Sequence, residues 1–129
     1  MVINMPVFDK WRAQIAVFCD KAIQGKLTLN ELYQQWPNEL QKSKLASGIY
    51  EDIEEGVQHF PGKLFSGKPD YETWKSSEMY AKLYLDKKLL ASDGSEDELV
   101  KVREAIRQSN LLTVEMVDAK LDALKRKEK

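Results

Sequence analysis

Apolar residues recur along this chain at spacings of three and four, the period of α-helices lying on a shared core. Between residues 6 and 24, Val7, Trp11, Ile15, Phe18 and Ala22 form one stripe, widened by Phe8, Cys19 and Ile23, and Gly25 supplies the stop. In the stretch LTLNEL, Thr28 with Glu31 reads as a capping box and Leu27 with Leu32 as a hydrophobic staple, so a short helix starts there and ends at Trp36, before Pro37. Leu45, Ile49, Ile53, Val57 and Phe60 predict a third helix, weakened slightly by Gly48 and Gly56. After a turn-rich connection, Asp70 is placed to cap a long fourth helix, predicted to run unbroken to Ala91 before Asp93 and Gly94 stop it. Ser95 and Glu98 form a further capping box ahead of Leu99, Val102 and Ile106. Thr113 then caps a last helix, with Leu112 and Val117 as its staple and Val114, Val117, Leu121 and Leu124 as its apolar stripe.

Nowhere does strict alternation bounded by turn signals compete with these patterns. The expected fold is all-α, a compact single-domain bundle of five or six helices over residues 1–129, with a basic tail at 125–129 that is expected to fray. The fourth helix, YETWKSSEMYAKLYLDKKLLA, is apolar over a wide arc and leaves only Lys75, Lys82 and Asp86 as a narrow polar stripe. That pattern fits a central helix packed on two sides; a homodimer face built on Tyr80 and Tyr84 is the alternative.

Composition narrows the function more than it identifies it. Twenty basic side chains against 21 acidic ones give a net charge of −1, which argues against a general nucleic-acid binder while permitting local patches of either sign. The basic C-terminal residues Lys120, Lys125, Arg126, Lys127 and Lys129 complement the end of a helix dipole and lack the interleaved aromatics of a nucleic-acid surface. A single cysteine, Cys19, allows no intrachain disulfide, and no long uninterrupted apolar run points to a membrane span. The opening residues show no basic leader followed by an apolar run. Expected, therefore, is a cytoplasmic protein with no membrane role.

Two stretches carry candidate chemistry. PGKLFSGKPD holds Gly62, Gly67 and Lys68 at the spacing of a phosphate loop, but Pro69 stands where that loop needs a hydroxyl, and no strand precedes it. A connection between helices is the expected reading, with Leu64 and Phe65 either tucked under the bundle or exposed as a contact loop. IYEDIEEGVQHF is the second. On a helical wheel Ile49, Ile53, Val57 and Phe60 face the core, Glu51, Glu54 and Glu55 face away, and Asp52 and His59 lie on one flank. Such an acidic face suits a basic partner, with Tyr50 as an aromatic anchor at its edge. Asp52, Glu55 and His59 share a spacing that would also meet a divalent ion, giving a metal-dependent helical enzyme as an alternative. With one histidine and no second ligand helix in the sequence, no metal or other cofactor is expected. Cys19 sits on an apolar stripe, far in sequence from His59, and no nucleophile or dinucleotide motif occurs, so no catalytic residues are assigned.

WPNEL at 36–40 and IYEDIEEGVQHFPG at 49–62 resemble a recurring pattern in small bacterial helical proteins. Together with its size and acidic helix, the chain also resembles immunity proteins of contact-dependent or colicin-like toxin systems. That resemblance implies a non-catalytic inhibitor that occludes a basic toxin or effector domain. From the residues themselves, the expected contact set is Tyr50, Glu51, Asp52, Glu54, Glu55 and His59.

Overall fold

A computed structural model describes residues 6–60, 71–108 and 111–127, and in these residues every regular element is helical. Seven α-helices follow one another there: α1 (Val7–Gln24), α2 (Leu29–Gln35), α3 (Lys44–His59), α4 (Tyr71–Lys75), α5 (Glu78–Ala91), α6 (Glu96–Arg107) and α7 (Val114–Lys127), with a 3₁₀ turn (Asn38–Lys42) between α2 and α3. The all-helical architecture is as expected, but the count exceeds five or six. One added element is α4. Ser77 splits the long helix expected up to Ala91: its backbone is extended, its hydroxyl donates to the Trp74 carbonyl at 2.6 Å, and it accepts the Tyr80 N–H at 3.1 Å. A serine that closes one helix and caps the next replaces the main-chain bonds a continuous helix would make. The phosphate-loop-like stretch, with Leu64, Phe65 and the Asp70 cap, lies outside the described residues, as does the end of the basic tail.

The other boundaries follow their signals. Thr28, Ser43, Ser77 and Ser95 each accept the backbone N–H three residues on, as does Thr113 ahead of α7. Gly25 ends α1 in the left-handed conformation, φ 74°, with Gly25 N–H on Ala22 O and Lys26 N–H on Lys21 O, the paired bonds of a Schellman motif. Any side chain there would also strike the Phe60 ring, whose nearest atom lies 2.3 Å from where a Cβ would stand.

Helix α5 is central, as its wide apolar arc implied, packing on α1, α3, α4, α6 and α7. Ala81, Leu83, Leu85, Leu89 and Leu90 are buried on it, meeting Ile15, Phe18 and Cys19 of α1 and Ile49, Ile53 and Val57 of α3 in one continuous core. Trp74 joins the α4 turn to this core through an edge contact with Phe60 at 5.3 Å and an indole N–H donated to Ile23 O at 3.0 Å. Tyr80 and Tyr84, the residues of the alternative dimer face, make contacts within the chain. Tyr80 packs edge-on to Trp74, and the Tyr84 hydroxyl donates to Asp118 of α7 at 2.8 Å.

The end of α5 is closed by a side chain from far along the sequence. Arg12 of α1 donates from Nε to Leu90 O at 2.9 Å, from Nη1 to Gly94 O at 3.0 Å and from Nη2 to Leu89 O at 3.2 Å. One guanidinium thus adds donors to the last-turn carbonyls of α5, where Leu89 O also accepts the Ser92 N–H and hydroxyl, reaches Gly94 beyond the helix, and places a cation at the negative end of the dipole. Arg12→Ala is expected to cost about 2 kcal/mol, the scale of losing charge-assisted hydrogen bonds to partly buried carbonyls. Arg12→Lys should recover only a fraction, because an ammonium cannot fork across these acceptors. Urea unfolding of the three proteins tests this, and an unchanged midpoint for Arg12→Ala would refute the capping role.

Candidate functional site

The acidic helix α3 does not present its carboxylates as one flat face. Its buried side includes Leu45, Ala46, Ile49, Asp52, Ile53, Gly56 and Val57, an arc wide enough to meet both the α1/α5 layer and α6. Asp52, expected on the exposed flank, is therefore a correction: it is only 3% exposed and belongs to the interior. Arg103 Nη2 donates to Asp52 Oδ2 at 2.7 Å and Arg107 Nη1 to the same oxygen at 2.6 Å, while Arg103 Nε donates to Asp86 Oδ1 at 2.8 Å. Asp86, read from the sequence as part of a narrow polar stripe, is fully buried. Among the described residues no group of three or more His, Cys, Asp or Glu stands together as a metal site, and the Asp52–Glu55–His59 set does not converge.

This ionic cluster locks three helices, α3, α5 and α6, through one guanidinium. Gly48 makes room for it, since a Cβ there would lie 2.7 Å from Arg103 Nη1. No donor faces Asp86 Oδ2. Its carboxyl lies against that of Asp52, and a second negative charge beside the first in one dry site is disfavoured. Burial, with the Asp52 carboxyl second, pushes Asp86 well above the usual carboxylate range. Asp52 is opposed by its own burial yet held below that range by the Asp86 hydrogen bond and the Arg103 and Arg107 charges. Cys19 is buried nearby, and burial, reinforced by Asp86 and Asp52, raises its thiol well above the ordinary value. With Asp86 wholly shielded and Asp52 nearly so, the cluster ties helices together in the interior.

The remaining acidic residues stand at a second feature that the sequence showed only in part. Tyr33 of α2, Trp36 just after it, and Asn38 and Gln41 of the 3₁₀ turn face Ser47, Tyr50, Glu51 and Glu54 of α3 across an open cleft of about 470 Å³. Trp36 forms its base, packed at 5.3 Å on the buried Phe18 and edge-on at 5.0 Å to Tyr50. Tyr33 stands at the rim, 52% exposed, and its hydroxyl donates to Glu54 Oε2 at 2.7 Å. That bond raises the Tyr33 phenol above its ordinary value, and burial, then the Glu54 charge, does the same to Tyr50. Both phenols stay neutral beside the glutamates.

Of the expected contact residues, Tyr50, Glu51 and Glu54 line this cleft, Glu55 and His59 are exposed on α3 outside it, and Asp52 is in the core. Tyr33 and Trp36 went unassigned. A trace of Tyr33 was present, since it is an aromatic next to the core residue Leu32 and off the apolar stripe, followed by two glutamines. Within the resembling WPNEL stretch, Leu40 is buried, and Glu39 accepts the Trp11 indole N–H and pairs with Lys10 at 3.0 Å. These residues fasten the 3₁₀ turn to α1 and so fix one wall of the cleft.

Fold and cleft together define an all-helical bundle with an acidic, aromatic-lined recess on its surface. No family model, curated protein or solved structure matches this chain. Among the described residues no helix is long and apolar enough to cross a membrane.

Proposed function

We propose that this protein is a non-catalytic binding module that receives a basic side chain of a partner protein in the cleft between α2 and α3. The observation that carries this reading is the convergence of Tyr33, Trp36 and Tyr50 with Glu51 and Glu54 around one recess. A cation above aromatic faces gains about 0.5–2 kcal/mol, and carboxylates beside it add charge attraction and steer the encounter. Trp36 and Tyr50 are held by core packing, so little side-chain freedom is lost when the partner arrives. The finer reading, in line with the resemblance to immunity proteins, is an immunity- or antitoxin-like inhibitor that occludes a basic toxin or effector domain. Glu55 and His59 would then lie at the rim of the contact.

The test compares baits in a pull-down from lysate of the source organism: wild type, Tyr33→Ala, and the triple variant Glu51→Lys, Glu54→Lys, Glu55→Lys. All three should keep the wild-type far-UV CD spectrum, because the altered positions lie at the surface. A stoichiometric basic protein is expected on wild type, weakened by Tyr33→Ala and absent from the triple variant. Retention of that partner at equal strength by the triple variant would overturn the assignment.

A further inference from the structure

A second concavity lies at the other end of the bundle, with the opposite chemistry. Helices α6 and α7 each pack on α5, chiefly on it rather than on each other, so a wedge stays open above the last turn of α5. The wedge encloses about 640 Å³, within the range of small-molecule sites between bundle helices. Its floor is Leu89 and Leu99, both buried, and its walls are the half-buried Val102, Leu121 and Leu124. Three exposed lysines from three helices stand at its edge: Lys88 of α5, Lys101 of α6 and Lys125 of α7. Two carboxylates, Asp93 and Glu98, share the rim, but Glu98 accepts the Ser95 hydroxyl at 3.1 Å in its capping box.

The C-terminal end of a helix ordinarily repels an anion. Here Arg12, which also pairs with Asp9 at 3.6 Å, donates to the carbonyls of Leu89 and Leu90 and to Gly94 just beyond them, so the negative end of α5 is partly offset at the wedge. An apolar trough with ammonium groups at its edge and a partly offset helix terminus suits a molecule with an apolar tail and an anionic head. We propose that this wedge binds small amphipathic anions of the acyl carboxylate class, the chain lying over Leu89, Leu99, Val102, Leu121 and Leu124 and the carboxylate reaching Lys88, Lys101 or Lys125. The site is separate from the α2/α3 cleft and does not depend on the binding function proposed for it.

Decanoate, kept below micelle formation, is the probe, titrated into the full chain by calorimetry and followed by amide chemical shifts. The expected result is saturable one-to-one binding, with shifts centred on residues 88–94, 98–102 and 121–125. Decyltrimethylammonium, with an equal tail and opposite charge, should bind at least about tenfold more weakly, and butyrate, short of tail, more weakly still. Leu121→Asp should weaken decanoate at least about tenfold, as should Lys88→Glu with Lys101→Glu; both sites are at the surface edge, and CD checks their fold. Binding that does not saturate, equal binding of the cationic probe, or shifts centred elsewhere would each overturn the proposal. So would an acidic amphipathic peptide occupying the wedge when decanoate does not, since that would make it a docking groove for a helix.

Discussion

Replacing Arg103 by Met is expected to destabilise the protein by about 3–5 kcal/mol, the cost of removing from a buried ionic cluster the one cation that two carboxyl groups share. The guanidinium donates to Asp86 and Asp52 at once, and its side chain is only 13% exposed, so neither water nor a neighbour replaces it. Arg107 still holds Asp52, but Asp86 loses its donor altogether. Against a typical total of about 5–15 kcal/mol, such a loss consumes much of the stability and should lower Tm by roughly 10–20 °C. The pair Arg103→Met with Asp86→Asn separates lost charge compensation from lost packing. If unpaired charge dominates, the second substitution returns a sizeable part of the loss; if packing dominates, it returns nothing. Guanidinium unfolding of the four proteins, wild type included, measures this cycle, and a loss below about 1 kcal/mol for Arg103→Met would show that the cluster is not an essential tie.

The same cluster should make stability depend on pH in a direction unlike that of most carboxylates. Asp86 is raised in the folded state by burial first and by the Asp52 carboxyl second. From the unfolded carboxylate value near pH 4 up to Asp86's folded value, the native state therefore binds more protons than the unfolded chain. Its contribution to stability is complete below that window and is lost as pH rises through it, by at most about 1.4 kcal/mol per pH unit. Asp52 acts the other way. Lowered in the folded state, it stabilises above the unfolded value and loses that contribution as pH falls through its folded value. Asp86→Asn keeps an oxygen for Arg103 Nε, cannot ionise, and turns an amide donor toward Asp52. Its stability relative to wild type is expected to climb as pH rises from the unfolded carboxylate value, about pH 4, toward Asp86's raised folded value. Urea midpoints across that range measure the difference, and a pH-independent difference would mean that Asp86 ionises in the fold as easily as in the unfolded chain.

Both expectations rest on residues whose roles the linear sequence concealed. Helix starts were legible because a hydroxyl and its N–H partner lie three residues apart, and Thr28, Ser95 and Thr113 each act as their local sequence says. Gly25 stops α1 for the same local reason. The central place of α5 was legible too, because an arc with few polar positions has to be covered from several sides. Even the break at Ser77 has a local cause, a hydroxyl competing with the main chain, although Ser76 and Ser77 sit within a periodic pattern that reads as continuous.

Asp52 and Asp86 show where local reading ends. On a wheel each borders its apolar stripe, and a carboxylate at such a border faces water unless a cation from elsewhere meets it. The cation is Arg103, 51 positions from Asp52 and 17 from Asp86. One hint lies on α3, where Gly48, Asp52 and Gly56 recur every four residues, marking a face that neighbours approach closely. Gly48 admits Arg103, and Gly56 admits Leu83. The cleft divides in the same way. Tyr50, Glu51 and Glu54 share a helix and were found by its period, whereas Tyr33 and Trp36 join them only because Pro37 and the 3₁₀ turn fold α2 back beside α3. By itself, then, the sequence determined which segments are helices, how most of them begin, and which helix is central, since these depend on neighbours within a turn or two. Which charges are buried, and which aromatics meet which carboxylates, depended on side chains brought together from distant helices, and only the tertiary structure decided that.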